Sequence, residues 1–155
     1  MENSKTKRLA FISFSIYSAF FILGLGLALV MIFWFKNSDA EGFEGLGMAL
    51  ATVILAAAGF LYSALSSVPI ILRGFSLKFP SKIALPAICL PFDLIFAGIN
   101  ITLLFGILAD ENPNAPGIVF FAALLILSAA SFCLNITSVI SLKREKKTTV
   151  ENGFS

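Results

Sequence analysis

Four uninterrupted apolar runs, residues 9–35, 43–72, 83–109 and 117–142, decide what this chain can become. Each is longer than the roughly 20 residues that cross a hydrocarbon core of about 30 Å. Lipid offers no partner to an open strand, and the runs lack the alternation of a barrel strand, so the sequence predicts helices. The expected fold is an all-α membrane protein with four transmembrane helices. Only 13% of the 155 residues are charged and 58% are hydrophobic, a balance far from that of a soluble domain.

The first run follows Lys5, Lys7 and Arg8 and so has the outline of a secretory signal. It exceeds the roughly 7–15 residues of such a core and no small-x-small site closes it, which makes it a retained first helix. The connections 36–42, 73–82 and 110–116 are short, and the last contains Asn112, Pro113, Asn114 and Pro116, residues that stop one helix and start another. Short links make sequential helices antiparallel neighbours, which predicts one domain, an up-down four-helix bundle.

Of the eleven Lys and Arg, all but Lys36 flank the same side of such a bundle. Asp39, Glu41, Glu44, Asp110 and Glu111 flank the other. The positive-inside rule then puts both termini and the middle connection, with Arg73, Lys78 and Lys82, in the cytoplasm of a multi-pass cell-membrane protein. Trp34 suits the headgroup level at the outer end of helix 1. The polar tail, 143–155, is expected to be mobile and to meet anionic headgroups through its cations.

Several chemistries lose their usual residues. There is no His, and Cys89 and Cys133 stand singly in apolar runs with no C-x-x-C, so no metal or cofactor is expected and both read as small packing residues. A net charge of +2 does not signal nucleic acid. The sequons at Asn100 and Asn135 lie inside membrane runs, out of reach of a transferase. One buried acid, no His and no buried Lys leave an enzyme without an obvious dyad, base or metal set.

Each run nevertheless has a polar or small face. Helix 2 carries Gly45, Ala49, Thr52, Ala56, Gly59, Ser63 and Ser66 at steps of three and four, the spacing that lets two backbones approach closely in lipid. This stripe reads as the inner seam of the bundle or, alternatively, as a face for a second copy or a partner. Helix 4 carries Ser128, Ser131, Asn135 and Ser138; helix 3 carries Leu90, Asp93, Ala97 and Asn100; helix 1 offers Ser13, Tyr17 and Gly24. Counting about 1.5 Å per residue from the cytoplasmic side, Tyr17, Ser63, Asp93, Ser131 and Asn135 fall at one depth, with Asn100 about 10 Å farther out.

Asp93 is the one carboxylate at a depth without water, at a cost of about 2.5–3.5 kcal/mol on insertion scales. No basic residue falls within the runs, so no buried ion pair is expected. The acid then either fixes helix register through hydrogen bonds to Tyr17, Ser63, Ser131 or Asn135, or serves as a proton or cation site. Pro91, inside helix 3, leaves the carbonyl of Ala87 without its intrahelical donor, an arrangement that kinks helices and that broken transporter helices use for cations.

Two functional readings follow. In the first, the chain is a non-enzymatic subunit or regulator that packs against a membrane-protein partner through the helix 2 stripe or the polar face of helix 3. In the second, it is a small proton- or cation-coupled transporter or channel component, working as a homo-oligomer around Asp93, Asn100 and Asn135. The lipid bilayer is a partner in both.

Overall fold

The computed structural model describes residues 2–37, 42–79, 82–109 and 115–152. Among these, 96% are helical and none forms a strand. The helices are α1 (Glu2–Lys36), α2 (Gly42–Lys78), α3 (Ala84–Leu108) and α4 (Ala115–Asn152). All four are long and apolar enough to cross a membrane. Asp39, Glu41, Asp110, Glu111 and the turn residues 112–114 lie outside the described residues.

Three boundaries differ by several residues from those read in the sequence, and the first is the start of α1, at Glu2 rather than residue 9. α2 continues beyond residue 72 to Lys78, because polarity alone does not end a helix; Pro80 sets the limit, since the residue before a proline avoids the α region. α4 continues beyond residue 142 to Asn152, so the tail is helical over 143–152. Its Lys, Arg and Glu are good helix formers, and Gly153 is the first residue that favours a stop.

The helices are inverted relative to those of a soluble protein. Buried positions on α4 are Leu124, Ser128, Ser131, Asn135, Ser138 and Leu142, at alternating steps of four and three. On α3 they are Pro86, Cys89, Asp93, Phe96 and Asn100, again three and four apart. This is the 3.5-residue repeat of left-handed helix packing, here filled largely by small and polar side chains. The large apolar residues face outward, with Phe33, Val119 and Ile126 each 70% exposed. Lipid chains are as apolar as Leu, so burying Leu gains little, whereas every polar group must find a partner within the protein.

The chain divides into two compact units, Met1–Ile16 with Ile71–Ser155, and Tyr17–Ile70. In the first, α3 packs along α4. In the second, α1 and α2 meet at two glycines. A Cβ on Gly59 would lie 2.6 Å from the carbonyl oxygen of Gly24, and one on Gly24 would lie 2.8 Å from that of Gly59. Only glycine fits at either position, and the contact is backbone on backbone. Ser63, one turn on from Gly59, exploits the short separation to donate its hydroxyl to the Phe21 carbonyl at 2.7 Å. Phe20 stacks edge-on against Tyr62 beside them, at 5.9 Å between centroids.

Both interior prolines stay within continuous helix: Pro91 in α3 and, unforeseen from the sequence, Pro69 in α2. Pro69 is fully buried and leaves the Leu65 carbonyl without its intrahelical donor.

Candidate functional site

The first unit contains a buried polar cluster drawn from all four helices. Asp93 on α3 is 1% exposed, and Asn135 on α4 donates its Nδ2 to the Asp93 Oδ2 at 2.5 Å. The Oδ1 of Asn135 accepts from the Nη2 of Arg73 on α2, and also from the Ser13 hydroxyl on α1 at 3.3 Å. Arg73 Nε in turn donates to Ser13 Oγ at 3.2 Å. One amide thus joins a carboxylate to a guanidinium. Its NH2 can face only the anion and its oxygen only the cation, so the charges fix its orientation.

Arg73 corrects the expectation that no basic residue lies within a helix. It is 1% exposed, inside α2, and the acid is compensated by a buried cation through Asn135. The signal was present in the sequence: continuing the helix 2 stripe past Ser66 by steps of three and four gives Pro69, Arg73 and Ser76, all buried.

A second bridge lies farther along the seam, where Asn100 Nδ2 donates to Ser128 Oγ at 3.2 Å. From Asp93 to Asn100 is seven residues forward on α3, and from Asn135 to Ser128 is seven back on α4, so both bridges keep one antiparallel register. Between them stands Ser131, fully buried, whose hydroxyl has no hydrogen-bond partner. Ser128 and Ser138, its neighbours on that face, donate to the carbonyls of Leu124 and Leu134.

Of the residues expected at one depth, the structure bonds Asp93 to Asn135 and puts Ser131 one turn away on the same face of α4. Tyr17 and Ser63 are both buried but belong to the second unit, where Ser63 is engaged by Phe21. In the helix 2 stripe, Gly45 and Ala49 are half-buried and Thr52, Ala56 and Gly59 are buried. Cys89 is buried, whereas Cys133 is exposed on the outer side of α4 and fills no packing position.

Among the described residues no group of three or more His, Cys, Asp or Glu is placed to hold a metal. A shallow groove of about 610 Å³ is lined by Ser4, Lys7, Arg8, Phe11, Ile12 and Leu77, with cations beside apolar side chains and no acid. Compared with known proteins, the chain matches no family model, no curated protein and no solved structure at a significant level.

Proposed function

We propose that this chain is a small multi-pass protein of the cell membrane, with both termini cytoplasmic and its helices in one up-down bundle. It acts as a non-enzymatic subunit or regulator packed against a membrane-protein partner. The observation that carries this reading is the Arg73–Asn135–Asp93 cluster. An intramembrane acid is by default a functional site. Here its charge is balanced within the chain, and its hydrogen bonds hold helices together rather than await a substrate. The Gly24–Gly59 contact likewise uses the helix 2 stripe internally. A partner therefore meets the outward apolar faces, not the stripe or the polar side of α3.

The transporter reading differs in one measurable respect. In-membrane crosslinking followed by purification in mild detergent is expected to yield a stoichiometric membrane-protein partner, retained in Asp93→Asn. The chain reconstituted alone is expected to pass neither protons nor alkali cations. Flux by the chain alone, abolished by Asp93→Asn while the helical content is unchanged, would replace this reading with the transporter.

A further inference from the structure

We infer that the groove between the start of α1 and the end of α2 binds one anionic phospholipid of the surrounding bilayer, its phosphate at Lys7 and Arg8 and an acyl chain at Phe11 and Ile12. The inference rests on the chain spanning a membrane and on no protein partner.

Its first support is the order of residues along the groove. Ser4, Lys7, Arg8, Phe11 and Ile12 stand at i, i+3, i+4, i+7 and i+8, one face of α1. From the helix start, that face offers a hydroxyl, then two cations, then two apolar side chains about 6 Å farther along the axis. A phospholipid presents headgroup, phosphate and hydrocarbon in the same order. The cations directly precede the first apolar run, at Leu9, and their long stems carry charge from the hydrocarbon edge to the headgroup level.

The second is shape. Leu77 of α2 adds a wall to the α1 face, so the cations border a groove of about 610 Å³ rather than a bare helix surface. Small-molecule sites enclose roughly 300–1,000 Å³, and basic pockets between membrane helices hold anionic headgroups. Lys143 and Lys146, exposed on α4, carry the same charge but do not line this groove.

The third is charge. No acid lines the groove, so an anion there meets two cations unopposed. The Arg8 guanidinium offers a fork of donors that matches two phosphate oxygens, and Lys7 adds a point charge. A zwitterionic lipid would bring its own ammonium to the same place, where both side chains repel it.

The test takes the full chain in nanodiscs of equimolar phosphatidylglycerol and phosphatidylcholine and counts the lipids it retains on release into native mass spectrometry. The parent is expected to keep one phosphatidylglycerol in preference to phosphatidylcholine. Lys7→Gln with Arg8→Gln should lower that preference roughly 25-fold, about fivefold for each cation near the surface. The control Lys143→Gln with Lys146→Gln removes equal charge outside the groove and should keep it. Leu77→Trp changes no charge but fills the groove, and should lose the lipid as well. Excess glycerophosphoglycerol, the headgroup without its chains, should not displace it. Resistance of each variant to alkaline extraction reads insertion separately, which distinguishes a chain that does not span the membrane from one that does not bind the lipid. Equal retention of the two lipids by the parent, equal losses in the two charge variants, a Leu77→Trp protein that keeps the preference, or displacement by the free headgroup would overturn the inference.

Discussion

The two units hold their helices together by opposite means. In the unit spanning 17–70, α1 and α2 touch through backbone, with two glycines removing every obstacle and dispersion acting over the close approach. In the other unit, charged and amide side chains span the gap, and Asn135 alone engages groups from α1, α2 and α3. Backbone contact tolerates no added atom but has little chemical specificity. The polar cluster tolerates modest changes of shape but no unbalanced loss of charge. Each seam therefore fails under a different kind of substitution.

The largest effect is expected from Arg73→Ala, which leaves Asp93 and Asn135 buried without their cation. Removing one member of a buried charged set costs about 3–5 kcal/mol, to be read as the shift in SDS-induced unfolding followed by far-UV circular dichroism. Pairing Arg73→Leu with Asp93→Leu should recover much of that loss, since removing both charges leaves neither stranded. If the double variant is no better than the sum of its singles, the two charges are not coupled through Asn135.

Next in size is Gly59→Ala, expected to cost about 1–3 kcal/mol because the new methyl meets the main chain of α1, which cannot rotate aside as a side chain would. A neutral Gly59→Ala would show that the helices separate freely and would erase the contrast between the units. Ser63→Ala should cost only about 0.6 kcal/mol, the average for an interhelical hydrogen bond in a membrane protein. Smallest of all, Cys133→Ala should stay within about 0.5 kcal/mol of the parent, since the thiol faces outward.

Much of the helix architecture is legible in the sequence because lipid imposes it. Runs of the right length must be helices, and small or polar residues recurring at steps of three and four mark the inward face. The serines of α4 and the stripe of α2 are read directly in this way, and the structure buries those serines and the stripe from Thr52 to Ser66, with Gly45 and Ala49 half-buried. Arg73 is missed by taking the first cation after an apolar run as the end of the helix, although α2 runs on through that cation to Lys78. The common depth of Tyr17, Ser63 and Asp93 was inferred from distance along the axis, which says nothing about direction around it. Ser63 shares its side of α2 with Gly59, and so its hydroxyl goes to the main chain of α1.

The amide of Asn135 has one more consequence, which concerns biogenesis. Arg73 and Asp93 leave the ribosome and enter the translocon before the residue that joins them exists. Until α4 arrives, the nascent three-helix intermediate carries two ionic groups without their connector, and its release into the bilayer is correspondingly unfavourable. Asn135 on α4 thus joins two charged groups that are both made before it.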